Sequence, residues 1–482
     1  MDAAIAVNLV LGVATPYLCG YGGDLFALVW KDGLHGYNGS GRAPKAATPE
    51  RLRDLAHSDR VPQFGPLTVT VPGAVEGWFA LLDRFGTRSF GDLAEPALGY
   101  ARDGFTLSEA GAASLRRAAG RYAWSPEWMA VYGIAEAGQA LLQPGLARTI
   151  EVVAAEGPDA YYRGSIGRAI VDHLRSRGGI LEAEDLDRHR GEWATPLSTA
   201  YRGVEVFELP PNTQGVTALE ALNIVEALGS LPPDGPDRHH LLIEAMKLAL
   251  ADRDAYVTDP STMRIEPELL ASAGWAKERA HRFDRSSASD PLPGRPSRGG
   301  TAYMCAADAE GMCVSLIQSN WEGFGSGVTV PGWGINLHNR GQYFSLDPSH
   351  PNVIGPGKRT LHTLIPAMAT REGRPWLVWG TMGGDGQAQT HLQLLARIVD
   401  DGEDVQRAID APRWVIDTSD WSVTAEERFE AGVIGGLRHR GHRVRTTAPY
   451  DSVMGHAHAI LVSEGGYACA TDPRAEGAAL GG

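Results

Sequence analysis

The sequence predicts an α+β fold, and three observations carry that reading. Stretches of the first half repeat apolar residues at helical spacing. Residues 301–319 read as a β-hairpin. Between these textures, residues 284–300 (DRSSASDPLPGRPSRGG) are rich in Ser, Pro, Gly and Arg and have no apolar period, as a loop or linker does.

Taken in order, Ala3 to Cys19 is apolar enough to imitate a signal-peptide core. Asp2 stands where such a peptide carries positive charge, and Asn8, Gly12 and Pro16 interrupt the run, so a buried helix ending near Gly12 is expected. Helices follow at 74–84, after Val71-Pro72-Gly73, and at 93–103. Another runs through Leu228 after Pro210-Pro211-Asn212-Thr213-Gln214-Gly215, with Ala218, Leu219, Leu222 and Val225 on one stripe. His239 to Tyr256 is a further long helix. His240 and Glu244 lie one turn apart there, and without a third ligand in a recognisable pattern they read as a solvated pair, so no metal is expected. Strands are expected at Trp376–Thr381 and Ala459–Ser463, and a helix around Thr390–Val399.

A chain of 482 residues, 43% hydrophobic and 21% charged, suits an ordinary globular protein of two to four domains or one long layered unit. The net charge of −14 repels phosphate backbones and excludes nucleic acid as a natural partner. The four cysteines, Cys19, Cys305, Cys313 and Cys469, form no metal-binding spacing. If Asp308-Ala309-Glu310-Gly311 is the hairpin turn, Cys305 faces Val314 and Cys313 faces Ala306, which sends their sulfurs to opposite sides. Buried free thiols in a reducing, cytoplasmic setting are therefore expected.

The common catalytic motifs are absent: there is no G-x-S-x-G, Walker loop, H-E-x-x-H or G-x-G-x-x-G. What remains is Thr301, directly after Gly299-Gly300 at the end of the linker. If the bond before it is cut, its new α-amine, with a reference pKa of about 7.7–8.0, can act as base for its own hydroxyl. Taken alone, the ordinary reading of Thr301 is a residue that starts a strand.

Longer motifs decide between these readings. DAAIAVNLVLGVATPYLCGYGGDLFALVW, VPGAVEGW, PPNTQGVTALEALNIVE, HHLLIEAMKLALADRDAYVTDP, TAYMCAADAEGMCVSLIQSNWEGFGSGVTVPGWGINLHNRG, KRTLHTLIPAM and GTMGGDGQAQTHLQ follow one another over nearly the whole chain. In that order they resemble the gamma-glutamyltranspeptidases. The resemblance implies the four-layer αββα sandwich of N-terminal-nucleophile hydrolases and self-cleavage between Gly300 and Thr301. Segments 1–300, ending in the 284–300 linker, and 301–482 would be the large and small subunits sharing one core. It also implies roles: Thr301 as nucleophile, Ser319 as its hydrogen-bonding hydroxyl, and Gly383 and Gly384 as the oxyanion hole. No cofactor is implied. The partners are a small amide, then water or an amine acceptor, and no membrane.

The substrate clamp departs from the family. Where glutathione-cleaving members have an arginine four places before a proline, Ser40 stands before Pro44, and Arg42 is displaced by two. The family's serine pair is His362-Thr363, and its acid for the substrate ammonium is Tyr343. With Arg340, Arg42 and His362 nearby, the pocket is expected to favour an acyl group that bears a carboxylate without an amine, and His362 is expected to titrate near 6.5 against it. Family members also carry a strand and helix before the D-A-A motif, so Met1 reads either as a genuine short start or as an internal point of a longer gene. Two function classes follow. One is a self-processing amidohydrolase or acyltransferase of glutathione-type chemistry; the other is an unprocessed relative that acts as a binding protein.

Overall fold

In this computed structural model, residues 1–133, 136–291 and 300–481 are described. Residues 292–299 of the expected 284–300 linker lie outside them. The first helix, α1 (Asp2–Ala14), runs two residues past Gly12. Proline restricts the residue before it, so Pro16 ends the helix where Gly12 does not. Helix α2 (Ala74–Phe85) buries Val75, Trp78, Leu81, Leu82 and Phe85 on one stripe. Helices α3 (Gly215–Leu228) and α4 (Pro236–Tyr256) are buried almost all round. Helices α5 (Gly386–Asp400) and α6 (Ala431–His439) follow in the last third.

Two antiparallel sheets organise these helices. Their strands in chain order are β1 (Asp24–Trp30), β2 (Leu34–Asn38), β3 (Glu192–Ala194), β4 (Leu197–Tyr201), β5 (Val204–Glu208), β6 (Gly300–Ala307), β7 (Cys313–Trp321), β8 (Ala367–Arg371), β9 (Arg374–Thr381), β10 (Ala457–Ser463) and β11 (Gly466–Thr471). The first sheet has the order β3-β2-β1-β7-β6 and the second β11-β10-β9-β8-β5-β4. Both contain strands from either side of Gly300.

Alternation along the strands sorts side chains between two faces. In the first sheet Leu25, Ala27, Val29, Val314 and Leu316 pack with α1 and α2. Phe26, Leu28, Tyr303 and Ile317 point the other way and meet Met368, Val378 and Ile460 of the second sheet. The far face of that sheet, through Val206, Ala367, Leu377 and Trp379, packs with α3, α4 and α5. The approach of the sheets is close: a Cβ on Gly380 would stand 2.2 Å from the Tyr303 ring.

Three expectations are corrected here. The hairpin loop is one residue longer than the assumed turn, because the Asp308 amide donates to the Met312 carbonyl. Cys305 therefore pairs with Ser315, and Cys313 with Ala307. Both sulfurs thus share the face between the sheets, on a diagonal. Diagonal neighbours on paired strands are about 7–8 Å apart, beyond disulfide reach, and the thiols stay free. Cys19 and Cys313 are buried, whereas Cys469 is exposed. Finally, His240 and Glu244 are buried, and His442 completes a three-residue group with them.

Because Ile317 sits where the two sheets meet, Ile317→Ala should lower unfolding free energy by about 2–5 kcal/mol. Denaturant titration of the uncut Thr301→Ala chain measures this. A loss under about 1 kcal/mol would mean that the inter-sheet layer does not hold the fold.

Candidate active site

Thr301 lies in β6 and is 1% exposed. Its register is irregular: Gly300 pairs with Trp321 and Ala302 with Gln318, so two residues of β7 stand opposite Thr301. Such a bulge bends a strand and re-aims side chains. Here the Thr301 hydroxyl donates to Ser319 Oγ at 3.3 Å, and Ser319 Oγ also accepts the Trp321 amide at 2.7 Å. Trp321 takes φ +77°, an unfavourable conformation for a tryptophan that its surroundings must hold in place.

Arg340 does part of that holding. Its guanidinium lies 3.9 Å from the Trp321 ring centroid, and Tyr343 meets the same ring edge-on. Arg340 is 1% exposed and donates through Nη1 to Thr363 Oγ1 at 3.3 Å. Among the described residues it has no carboxylate within ion-pair distance, and its buried Nη2 has no hydrogen-bond partner. Burial pushes its pKa down to about 10, so it remains a cation at neutral pH.

From Thr363 the contacts continue to the glycine pair. Gln214 Nε2 donates to the carbonyls of both Thr363 and Gly384, at 2.9 and 3.0 Å. Gly383 and Gly384 take φ +140° and +58°, which glycine adopts without strain. Neither amide donates to a described residue. Arg253 joins Gln214 to Asp385 at 2.8 and 2.6 Å, and Tyr343 donates its hydroxyl to Asp385 at 2.5 Å. Burial, with the Asp385 charge, pushes the Tyr343 phenol well above its ordinary pKa, so it stays neutral.

Behind Thr301 and Ser319 lies a buried carboxylate. Asp24 stands opposite Ser319 in the β1–β7 register. Its Oδ1 accepts the amides of Gly41 and Gly73 at 3.1 and 3.3 Å. Those glycines are required by close approach: a Cβ would lie 1.5 Å from the Val71 carbonyl oxygen and 1.6 Å from that of Gly39. Its Oδ2 accepts His362 Nε2–H at 3.1 Å and lies 3.4 Å from His338 Nδ1. Burial opposes the charge, but His338, His362 and Arg340 outweigh it and hold the carboxyl at about 2.

Most expected site residues thus belong to one network: Thr301, Ser319, Arg340, Tyr343, His362, Thr363 and Gly384, with Gly383 beside it. Two differ from expectation. Arg42 is committed elsewhere, to Glu192 at 2.7 Å and Asp259 at 3.5 Å, with its side chain 41% exposed. His362 is not a titrating partner for substrate. Burial, reinforced by Arg340, lowers it to about 3, and its Nδ1 already accepts the Leu364 amide. The network also contains Asp24, Gln214, Arg253, Trp321, His338 and Asp385, to which motif reading assigned no role.

The family model described as Gamma-glutamyltranspeptidase matches residues 1–482. The chain belongs to the gamma-glutamyltranspeptidase family. It is 38% identical to the glutathione hydrolase-like YwrD proenzyme of Bacillus subtilis, over all of this chain and 93% of that one. It is 35% identical to the oxamate amidohydrolase proenzyme of Klebsiella pneumoniae subsp. pneumoniae, over 100% and 94%. Among solved structures, the cephalosporin acylase from Bacillus halodurans superposes with a TM-score of 0.94 at 39% identity, covering 100% of this chain and 91% of that one. Membership makes this gamma-glutamyltranspeptidase relative an amidohydrolase of the N-terminal-nucleophile kind, in a family of transferases and hydrolases activated by autoproteolysis. Among its described residues no helix is long and apolar enough to cross a membrane.

The histidine burial sets a pH dependence. His362 is held at about 3 in the fold and returns to about 6.5 when unfolded, so the unfolded chain binds the extra proton between these values. Stability is full above about pH 6.5 and falls as pH drops below it, by about 1.4 kcal/mol per pH unit for this one histidine. His189, also lowered to about 3 by burial, adds in the same direction. Urea unfolding of the Thr301→Ala chain at pH 7, 6 and 5 should show this decline, with a shallower slope in His362→Gln. Equal slopes would place the titration elsewhere.

Proposed function

We propose that this enzyme cuts itself between Gly300 and Thr301 and then hydrolyses, or transfers, the acyl group of a small amide bearing a carboxylate and no α-ammonium. In self-cleavage, Thr301 Oγ1 attacks the Gly300 carbonyl and the Thr301 nitrogen departs with a proton. Water then cleaves the ester, leaving a Gly300 carboxylate and a free Thr301 hydroxyl and α-amine. In turnover that amine takes the hydroxyl proton, Oγ1 bonds to the substrate carbonyl, and the amine returns the proton to the leaving nitrogen. Water or an amine then releases the acyl group.

Supporting roles follow from the surroundings of each group. Ser319 receives the nucleophile's hydrogen bond and fixes its direction. The unengaged amides of Gly383 and Gly384 suit the oxyanion, where one such donor contributes about 3–4 kcal/mol. The nucleophile brings its own base, so the reaction calls for no cofactor. Two facing sheets with helices outside suit an αββα sandwich, within which 1–300 and 301–482 are two fragments of one core. An inactive binding protein is the weaker reading, because the nucleophile and its hydroxyl partner are intact.

The observation that carries the substrate reading is Arg340: a buried, stacked cation beside Thr363 that has, among the described residues, no carboxylate within ion-pair distance. Leaving such a charge unpaired costs several kcal/mol, and a substrate carboxylate offsets it. The nearby Asp385 is taken by Arg253 and Tyr343, which disfavours an ammonium.

Two measurements test this. A denaturing gel of the wild type should show two fragments, and Thr301→Ala one intact chain; an uncut wild type after long incubation at neutral pH would end the catalytic reading. Glutaryl-p-nitroanilide should then give a higher kcat/KM than gamma-glutamyl-p-nitroanilide. Arg340→Gln should reduce the glutaryl value roughly 10- to 100-fold, in line with a charged hydrogen bond of about 1.5–3 kcal/mol. With His362 neutral throughout, the preference should stay flat from pH 5.5 to 7.5. A clear advantage for the gamma-glutamyl compound would overturn the substrate class.

A further inference from the structure

Composition makes residues 284–290 part of a free linker, yet they are held from two sides. From α4, His240 Nε2 donates to the Asp284 carbonyl at 2.8 Å and Lys247 Nζ to the Ser289 carbonyl at 2.8 Å. The Ser289 amide donates to Glu244 Oε2 at 2.9 Å, and its hydroxyl donates to the same oxygen. From beyond the cleavage point, the Arg440 carbonyl accepts the Ala288 amide at 2.7 Å, and Arg443 pairs with Asp290 at 2.8 Å.

Beneath this segment the supporting groups are buried. Glu244 and Lys247 form an ion pair at 2.9 Å and are 2% and 1% exposed. Since His240 Nε2 gives its proton to a carbonyl, its Nδ1 accepts from His442 Nε2, at 2.8 Å. That bond joins α4 to the segment after α6. Burial, with the neighbouring cationic side chains, keeps His442 at about 3 and neutral. The three groups have the composition of a metal site, but Lys247 already supplies the cation beside Glu244. A buried ion pair is a poor source of stability by itself, and its best-attested use is to fix one arrangement.

We infer that Glu244, Lys247, His240 and His442 form a dock that fixes residues 284–290 and thereby positions the scissile bond for self-cleavage. The inference rests on cleavage before Thr301. Strand β6 holds the downstream side of that bond through the Gly300–Trp321 pairing. The dock holds the upstream side as far as Asp290, ten residues before Gly300. Fixing the direction from which the chain approaches Thr301 favours the geometry of attack. After cleavage the same bonds keep the new tail of the large fragment attached to both pieces.

The test follows the first-order self-cleavage of purified full-length chains by denaturing gel, with mass spectrometry of the fragments. Ser289→Ala and Glu244→Gln should slow cleavage threefold or more, while Ser289→Thr, which keeps the hydroxyl, should match the wild type. Once processed, each variant should turn over substrate with kcat/KM within twofold of the wild type. Cleavage of both variants at the wild-type rate would overturn the dock, as would a parallel fall in kcat/KM, which marks general damage. If the wild-type small fragment begins elsewhere than Thr301, the cleavage reading itself fails; wild-type rates with a fragment that begins at Thr301 remove the dock alone.

Discussion

The structure around Thr301 depends on one buried charge. Asp24 has no access to water, so every lone pair it presents must find a donor within the protein. The solution brings together four separate stretches of chain. Gly41 and Gly73 give amides, His362 gives its Nε2 proton, and His338 approaches from the segment that leads to Arg340. Each of these groups needs its own loop at a set distance, so one carboxylate fixes the relative placement of loops more than three hundred residues apart. Thr301 inherits its position from this, because Ser319 lies directly across from Asp24.

A second constraint acts from the substrate side. Trp321 is held in a conformation that favours glycine, and its ring is covered by Arg340 on a face and Tyr343 at an edge. The strained residue thus ties the strand carrying Ser319 to the cation next to Thr363. A change in either aromatic residue reaches Thr301 through backbone geometry as well as through contact. On the proposed roles, catalysis and specificity share one piece of chain, and they cannot be tuned fully apart.

Much of this was legible in the sequence, in proportion to how local the physics is. Helices with an apolar stripe or continuous apolar character, such as Gly215–Leu228, were found at their true bounds because periodicity sets them. The hairpin was found, but its register slipped by one residue, since a single extra loop position at Met312 leaves no compositional mark. Thr301, Ser319, Arg340 and Thr363 could be named because they fall inside long motifs. Asp24 sat in plain view after Gly22-Gly23, and nothing local distinguishes a buried carboxylate from an exposed one before a strand. His362 was misjudged for the same reason: its ordinary pKa is a property of the residue, and its actual one is a property of burial beside Arg340. The His240–Glu244 spacing was read as solvated because His442, two hundred residues on, cannot be seen from it.

The interleaving of strands carries a consequence for the life of the protein. Each sheet draws strands from both sides of Gly300, so with the proposed cleavage there neither piece would hold a complete sheet alone. Before cleavage, an unfolded chain still carries all eleven strands of these two sheets covalently and can search for its pairing as one molecule. After cleavage, the same search becomes an encounter between two chains, and it slows with dilution. The cut chain therefore persists through the height of its unfolding barrier, and what protects it is a rate. On that proposal, heat or acid that opens the cut protein would separate two chains, whereas an uncut chain would refold as one molecule.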